Sequence, residues 1–380
     1  MKIVADENIP LLHEFFGDLG EIHPLPGRTL SAAQVRDADV LLVRSVTPVT
    51  EQLLADSQVG FVGTATIGCD HVDLGYLHTQ DIAFASAPGC NARGVVEYVL
   101  ASLSILFERE GWQWPTTRIG IVGLGNVGSR LKQVLEGLGC EVLACDPFLK
   151  EQGVPGLVSL DEVLGCDVIS LHTPLTRTGP HPTFHLLDAE RLARISPRQI
   201  LINTARGPVI QEEALLEKLQ REPEWPVVLD VWETEPQVNP ELLERVQIGS
   251  AHIAGYSLDG KMRGTEMIYQ ALCHHLQRPV RHRLADFLPA TPLAEVRFGA
   301  SVAPYDALSI AIRACYDPRT DDGLLRRALR LPTEEHGAAF DSLRKHYRIR
   351  REFGLTRISF TEKAPEAERL LKAAGFDTGR

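Results

Sequence analysis

Residues 118–128 read RIGIVGLGNVG, a short apolar segment followed by glycines at 123, 125 and 128. The apolar part is long enough for one buried strand, and a helical pattern follows as far as Leu138. In this context Gly123 permits a tight turn, Gly125 lets the main chain approach a pyrophosphate, and Gly128 allows a helix to pack closely on a sheet. The stretch therefore predicts a Rossmann-type βαβ unit that binds a dinucleotide.

An acidic residue stands where such a unit needs one. Asp146 ends the next apolar segment, at the position where a carboxylate would hydrogen-bond an adenosine ribose. The following residues, Pro147 and Phe148, supply no arginine that could neutralise a ribose 2′-phosphate. The sequence therefore predicts NAD, rather than NADP, as the cofactor.

Similar apolar segments recur on both sides of this unit. They alternate with helical patterns and lie at 2–5, 39–43, 59–63, 82–86, 141–145, 167–171, 199–203 and 226–230. Near-continuous apolar runs of this length are typical of parallel sheets buried on both faces. A long helical pattern at 91–110 separates two such series, which favours two doubly wound α/β domains.

The sequence thus predicts three domains. A flavodoxin-like substrate domain takes residues 1–95 plus 258–285, and a Rossmann NAD-binding domain takes residues 96–257. Residues 286–380 form a C-terminal α+β domain, for which we expect a role in dimerisation. This last segment holds 16 Lys and Arg against 14 Asp and Glu, whereas the whole chain of 380 residues has a net charge of −11.

Composition argues against several classes of protein. A net negative charge disfavours general binding to nucleic acid or to anionic membranes, and no apolar run approaches the ~20 residues of a membrane span. Asp6 and Glu7 interrupt the N-terminus before a signal peptide could develop. The seven cysteines are scattered and contain no C-x-x-C pair, which predicts reduced thiols, no metal site and a cytoplasmic location.

One basic run needs a separate interpretation. Residues 344–351 read RKHYRIRR, but Glu352 and Phe353 follow at once. The run therefore favours a solvated face or an intersubunit ion-pair surface over a nucleic-acid site.

Three polar residues follow strands of the predicted NAD-binding domain. Arg206 comes after segment 199–203, Glu235 after segment 226–230, and His252 after a further short apolar run. Ligands of open α/β sheets bind at the carboxyl ends of the strands. Hydride transfer from a carbinol needs a base, and the imidazole pKa suits that task. A carboxylate can fix the imidazole, and an arginine can bind a substrate carboxylate through two bonds.

The order and spacing of these segments resemble the D-isomer-specific 2-hydroxyacid dehydrogenases across roughly residues 60–280. The resemblance is carried by Gly68–Asp73, Ala87–Asn91, Gly123–Gly128, Leu171–Thr176, Asn203–Pro208, Asp230–Pro236 and His252–Gly255. It implies that Arg206 binds the substrate carboxylate, that His252 is the acid/base and that Glu235 orients it. In addition to the three glycines, it implies NAD contacts at Asn126, Val127, Asp146, Thr173, Thr204, Ala205, Asp230 and Gly255.

The chain departs from the general pattern of that family in ways that bear on the substrate. Thr66 replaces a common glycine, Tyr256 replaces a small residue, residues 179–182 are added, and about 95 further residues follow the usual end. A phosphorylated 2-hydroxy acid needs donors for its second anionic group. We expect these from Tyr256, Ser45, Thr66 and Arg44, although a packing role for Tyr256 and a structural ion pair for Arg44 stay open.

Two alternatives for the function also stay open. One is a phosphoglycerate dehydrogenase with a C-terminal regulatory domain. The other is a non-enzymatic corepressor that uses the fold to sense NAD.

Overall fold

The computed structural model describes residues 1–299 and 301–379 and divides the chain into two compact units. The first unit comprises Met1–Asn91 and Ser257–Ala290, and the second comprises Ala92–Tyr256 and Thr291–Arg380. The strands are β1 (Lys2–Asp6), β2 (Glu21–Leu25), β3 (Val40–Val43), β4 (Phe61–Thr64), β5 (Ala83–Ala85), β6 (Arg118–Val122), β7 (Glu141–Cys145), β8 (Val168–Leu171), β9 (Ile200–Asn203), β10 (Val227–Leu229), β11 (Ile248–Gly249), β12 (Glu295–Phe298) and β13 (Arg357–Phe360).

The helices fall between these strands. They are α1 (Leu12–Phe16), α2 (Ala32–Val35), α3 (Glu51–Leu54), α4 (Leu74–Thr79), α5 (Ala92–Glu110), α6 (Asn126–Gly137), α7 (Pro147–Glu151), α8 (Leu160–Leu164), α9 (Ala189–Arg194), α10 (Glu212–Arg221), α11 (Pro240–Arg245), α12 (Leu258–His275), α13 (Pro304–Cys315), α14 (Arg319–Ala328), α15 (His336–Lys345) and α16 (Pro365–Ala374).

The first unit is built on a parallel sheet in the order β2-β1-β3-β4-β5. This order is that of flavodoxin-like folds and confirms the predicted fold of this part of the chain. Strands β3 and β4 are adjacent, with Val43 opposite Thr64, and every residue of both strands is buried. Residues that follow β3 and β4 therefore emerge at the same edge of this sheet.

The second unit contains a parallel sheet in the order β11-β10-β9-β8-β6-β7. Strand β6 pairs with β7 on one side and with β8 on the other, so the chain reverses its direction of winding at β6. Doubly wound sheets bind their ligands at this point, outside the carboxyl ends of the strands. The Rossmann fold predicted from residues 118–128 is confirmed.

The C-terminal residues pack in the same unit as this sheet. Helices α13 and α16 lie against each other, α13 contacts α5, and α16 contacts α6. Their buried apolar side chains, such as Leu308, Ile312 and Leu371, belong to the same core as α5 and β6. Strands β12 and β13 form a small parallel pair, which the sequence patterns did not indicate.

The expectation of a solvated face for residues 344–351 is wrong for several of its arginines. Arg350 is 3% exposed and Arg351 is 7% exposed. The Arg350 guanidinium lies 3.9 Å from the centre of the Tyr316 ring and donates to the Gly94 carbonyl. These contacts replace water around the cation, which is why a basic run can be buried here.

Two features of the described residues concern membranes and metal ions. None of their helices combines the length and the apolar character needed to cross a membrane. No group of three or more His, Cys, Asp or Glu side chains among them is arranged to hold a metal ion.

Candidate active site

The glycine-rich loop joins β6 to α6 in a geometry that only small residues allow. Gly123 has a φ of 91°, in the left-handed region. A Cβ atom on Gly128 would lie 1.9 Å from the carbonyl oxygen of Gly123, so a side chain cannot be accommodated there. Beside Gly125, in contrast, no described atom lies within 4 Å of the position a Cβ would take. The main chain at Gly125, where α6 begins, is therefore open to close approach by a ligand.

Asp146 lies at the carboxyl end of β7 and contacts this loop. One carboxylate oxygen accepts a hydrogen bond of 2.9 Å from the Leu124 amide. The other accepts one of 3.2 Å from the Leu149 amide and caps α7. The aspartate is thus held at the edge of the glycine loop, beside the switch point of the sheet.

Two residues after β8 complete the surroundings of the loop. The Thr173 hydroxyl is buried and has no hydrogen-bond partner among the described residues. The neighbouring His172 contacts Ser170 at 2.8 Å, and burial lowers its pKa to about 3, so its imidazole is neutral. A bound dinucleotide fits these features, which are the unpartnered Thr173 hydroxyl, the open space at Gly125 and the fixed Asp146 carboxylate.

A hydrogen bond joins His252, in the loop after β11, to Glu235, in the loop after β10. His252 Nδ1 lies 2.8 Å from Glu235 Oε2, and the second Glu235 oxygen accepts from the Trp232 amide at 2.9 Å. Burial acts to raise the pKa of Glu235, but the charge and hydrogen bond of His252 outweigh it, and the pKa is lowered. The carboxylate is therefore ionised and able to hold the imidazole in one orientation.

Asp230, at the end of β10, shapes the loop that carries His252. Its carboxylate accepts from the Ser250 hydroxyl at 2.6 Å, from the Ile253 amide at 2.8 Å and from the Ala254 amide at 2.9 Å. His252 itself has a φ of 55°, a conformation that costs free energy for a residue other than glycine. Burial raises the pKa of Asp230, although His252 and the three hydrogen-bond donors act in the opposite direction. Sequence reasoning missed this role of Asp230, because its hydrogen-bond partners lie 20 to 24 positions later in the chain.

Arg206 follows β9 in a loop that Asn203 closes. The Asn203 side chain accepts from the Ala205 amide at 3.0 Å and donates to the Arg206 carbonyl at 3.0 Å. The next residue, Gly207, packs directly on the following loop, because a Cβ there would lie 1.9 Å from the carbonyl of Trp232. The loops of Arg206 and Glu235 are thus in direct contact.

The structure brings the remaining predicted residues of this domain to the same edge of the sheet. Asn126 and Val127 begin α6, Thr173 follows β8, Thr204 and Ala205 follow β9, and Gly255 lies in the loop after β11. That these residues contact NAD stays a prediction.

Tyr256 lies against residues of the C-terminal region. Its ring meets the Tyr347 ring edge to face, with centroids 5.7 Å apart, and Arg344 Cζ lies 5.7 Å from its centroid. The Tyr347 hydroxyl donates to Asp321 at 3.0 Å, which fixes the Tyr347 ring. Sequence reasoning missed Arg344 and Tyr347 because these contacts are far apart in the chain.

The first unit carries the other predicted substrate residues. Ser45 follows β3 and is exposed, Arg44 is partly buried, and Thr66 follows β4. The Thr66 hydroxyl lies 2.8 Å from that of Thr64 and donates to the Gly68 carbonyl at 3.2 Å. Because β3 and β4 are adjacent, Ser45 and Thr66 lie at the same edge of this sheet.

Comparison with known families agrees with this geometry. Residues 107–254 match the family model of the D-isomer specific 2-hydroxyacid dehydrogenase, NAD binding domain. Residues 287–375 match a domain of unknown function. Curated proteins named erythronate-4-phosphate dehydrogenase are similar over almost the whole chain. Those of Marinobacter nauticus and Hahella chejuensis are both 52% identical, and that of Pseudomonas entomophila is 53% identical, each match covering 99% of both chains.

Solved structures agree in fold. A D-lactate dehydrogenase from Aquifex aeolicus, complexed with NAD and lactic acid, is 25% identical with a TM-score of 0.60, over 73% of this chain and 96% of that chain. An NAD⁺-bound 3-phosphoglycerate dehydrogenase from Entamoeba histolytica is 24% identical with a TM-score of 0.63, over 76% of this chain and 99% of that chain.

Proposed function

The chain belongs to the erythronate-4-phosphate dehydrogenases, within the D-isomer-specific 2-hydroxyacid dehydrogenase family, and we propose that it oxidises 4-phospho-D-erythronate at C2 with NAD. The product would be 3-hydroxy-2-oxo-4-phosphooxybutanoate. The reaction would be a step of pyridoxal phosphate biosynthesis. The departures at Thr66 and Tyr256 and the C-terminal extension already favoured this substrate on sequence alone, and the curated relatives support it over phosphoglycerate dehydrogenase and over a corepressor.

The contact between His252 and Glu235 carries this proposal. An imidazole whose Nδ1 is bound by an ionised carboxylate at 2.8 Å presents Nε2 as the base. In the oxidation, Nε2 takes the proton of the C2 hydroxyl, and the imidazolium that forms is stabilised by Glu235. In the reverse direction the same nitrogen returns the proton.

Arg206 would bind the substrate carboxylate. A guanidinium can hold a carboxylate through two parallel hydrogen bonds, which fixes the orientation of C2 as well as its position. The direct packing of Gly207 on Trp232 keeps the loop of Arg206 at a constant distance from the loop of Glu235. The groups proposed for binding and for proton transfer are thereby held on two loops that pack against each other.

The residues that would hold NAD are those around the glycine loop. The amides of Asn126 and Val127 at the start of α6 suit the pyrophosphate, and Asp146 suits the adenosine ribose. The Thr173 hydroxyl, which has no partner among the described residues, suits a further polar group of the cofactor. When bound, the nicotinamide supplies the acceptor for the hydride that leaves C2.

The phosphate of the substrate would be bound by Ser45, Thr66 and Tyr256, with Arg44 as a further candidate. The hydroxyls of Ser45 and Tyr256 and the Arg44 guanidinium offer donors that a phosphate group requires, and the Thr66 hydroxyl would add another by exchanging its bond to the Gly68 carbonyl for one to the phosphate. The neighbouring positions of Ser45 and Thr66 at one sheet edge support their joint role.

A comparison of substrates tests the proposal. We expect kcat/KM with 4-phospho-D-erythronate to exceed that with 3-phosphoglycerate and with D-erythronate by at least tenfold, at saturating NAD. A preference for 3-phosphoglycerate would keep the class of reaction and overturn the substrate. No NADH formation with any 2-hydroxy acid would favour the corepressor.

We also propose a homodimer that forms through the C-terminal region. Several large apolar side chains of this region are exposed, namely Ile310, Leu324, Leu331, Ile349 and Leu355. A second copy of the chain would cover them, and two-fold homodimers are the commonest soluble oligomers. The cytoplasmic location stays a prediction from the sequence.

A further inference from the structure

Arg344 is a charged residue of the C-terminal region that the mechanism above does not use. It lies near the end of α15, and its side chain is only 13% exposed. A guanidinium loses most of its hydration at such a site, so its presence requires compensating partners. Its acidic neighbour on the same helix, Asp341, is no closer than 4.0 Å from Nη1, which is a weak ion pair.

The partners of Arg344 belong to the active site. Its guanidinium carbon lies 5.7 Å from the centre of the Tyr256 ring, so the guanidinium is within reach of the Tyr256 hydroxyl, and its charge interacts with that of Glu235. Burial alone would lower the pKa of Arg344, but Tyr256 and Glu235 raise it, so the guanidinium is charged. One of its donors, the buried Nε–H, has no hydrogen-bond partner among the described residues.

A hydrogen bond between Arg344 and the Tyr256 hydroxyl can have only one direction. A guanidinium can only donate, so the Tyr256 oxygen must accept. A phenol oxygen that accepts from arginine can give its own hydrogen to another acceptor. Tyr347 packs against the ring of Tyr256 and limits its rotation. The C-terminal region therefore orients the Tyr256 hydroxyl as a donor and places a positive charge beside it.

We propose that Arg344 is a specificity-determining residue for the phosphate end of the substrate, because it orients Tyr256 as a donor and adds a positive charge. This inference rests on the proposed function and assigns a task to the region that matches a domain of unknown function. A phosphate dianion favours such a site, since charge-assisted bonds are stronger than those between neutral groups. An unphosphorylated acid gains nothing from it.

The test compares Arg344→Gln and Arg344→Lys with the wild type on 4-phospho-D-erythronate and on D-erythronate. Arg344→Gln should raise KM for the phosphorylated acid by about 10- to 100-fold, with a much smaller change for the other acid. Arg344→Lys keeps the charge but not the planar guanidinium group. Its KM for the phosphorylated acid should therefore lie between those of the wild type and of Arg344→Gln. Arg330→Gln, which removes an exposed arginine of the same region, serves as the matched control.

A double-mutant cycle with Tyr256→Phe tests whether the two residues act together. If Arg344 works partly through the Tyr256 hydroxyl, the loss in the double variant should be at least threefold smaller than the product of the single losses. Unchanged NADH affinity, measured by fluorescence titration, should show that each variant is folded.

Three results would overturn the assignment. Equal proportional losses on both acids would make Arg344 a structural residue, and an unchanged KM would leave it without a role in binding. Strictly multiplicative losses would remove the orienting role. A wild-type enzyme with no preference for the phosphorylated acid would instead refute the proposed function itself, and this inference with it.

Discussion

The main-chain amide of Phe353 donates a hydrogen bond of 2.8 Å to a carboxylate oxygen of Glu97, 256 positions earlier in the chain. Glu97 lies in α5 and is 1% exposed, so this bond joins the C-terminal region to the core of the second unit. Burial, and then the charge of Glu352, raise the pKa of Glu97 to about 8, although nearby arginines act in the opposite direction.

This raised pKa predicts a pH dependence of stability. The folded protein keeps the Glu97 proton up to about pH 8, whereas the unfolded chain loses it near pH 4.5, the ordinary pKa of a glutamate. The contribution of Glu97 to the free energy of unfolding is therefore complete below pH 4.5 and is lost as the pH rises towards 8, by up to about 1.4 kcal/mol per pH unit. Glu97→Gln, which cannot titrate, should lose less stability than the wild type between pH 5 and 8 in urea unfolding. Identical slopes for the two proteins would contradict this.

The contact between His252 and Glu235 predicts two different kinetic effects. His252→Ala should lower kcat by roughly 10²- to 10⁴-fold, because the base is removed. Glu235→Gln should lower kcat by a smaller factor, because the base remains but the negative charge that stabilises the imidazolium formed in the reaction is lost. Steady-state assays of NAD reduction from pH 5 to 9 measure both. Near-normal kcat in His252→Ala would show that the base lies elsewhere.

Asp146 predicts the choice between the two nicotinamide cofactors. Its carboxylate would repel a ribose 2′-phosphate, so wild-type kcat/KM should be much higher with NAD than with NADP. Asp146→Ser should bring kcat/KM with NADP closer to that with NAD. It also keeps a residue that can cap α7. Asp146→Ala is the companion variant, which should also lose about 1 kcal/mol of stability with the cap. Equal wild-type efficiency with both cofactors would refute the assignment.

The hydroxyls assigned to the substrate phosphate give a further prediction. Tyr256→Phe, Ser45→Ala and Thr66→Ala should each raise KM for 4-phospho-D-erythronate by roughly five- to a hundredfold, since each lost donor costs about 1–3 kcal/mol. The effect on D-erythronate should be small. Thr66→Ser offers a matched control, because it keeps the hydroxyl that contacts Thr64 and Gly68. Equal losses on both acids would assign these residues to the fold or the cofactor site.

The proposed dimer can be tested without removal of the C-terminal region. Ile349 is 68% exposed, and Ile349→Asp places a charge where a second copy of the chain would be expected to pack. Light scattering coupled to size exclusion should give a dimer for the wild type and a larger monomer fraction for the variant. A wild-type monomer at micromolar concentration would rule the proposal out.

Local patterns predicted most of the sheet framework. The expected strands at 118–122 and 141–145 coincide with β6 and β7, and the helix expected over 91–110 is α5 within one residue. Ser159 and Glu162 form a capping box at the start of α8, with the spacing that is typical of this motif. These elements can be predicted from local sequence because buried parallel strands are apolar throughout and helix ends need local partners.

The elements that escaped prediction have polar or interrupted patterns. Strand β2 reads EIHPL, a partly exposed edge strand with a proline, which resembles a loop in sequence. Arg344 and Tyr347, which contact Tyr256, were not predicted for another reason. A basic residue in a charged run gives no sign that it is buried, so the position of Arg344 follows only from tertiary packing.

The close approach of Gly207 to Trp232 limits how this enzyme could be redesigned. Any side chain at 207 would force apart the loops that hold Arg206 and Glu235, and would displace both of these proposed catalytic residues together. Variation of these two loops is therefore a poor route to a new substrate. Libraries aimed at a different hydroxy acid should instead diversify the positions proposed for the substrate phosphate, namely 44–46, 66 and Tyr256, together with the end of α15.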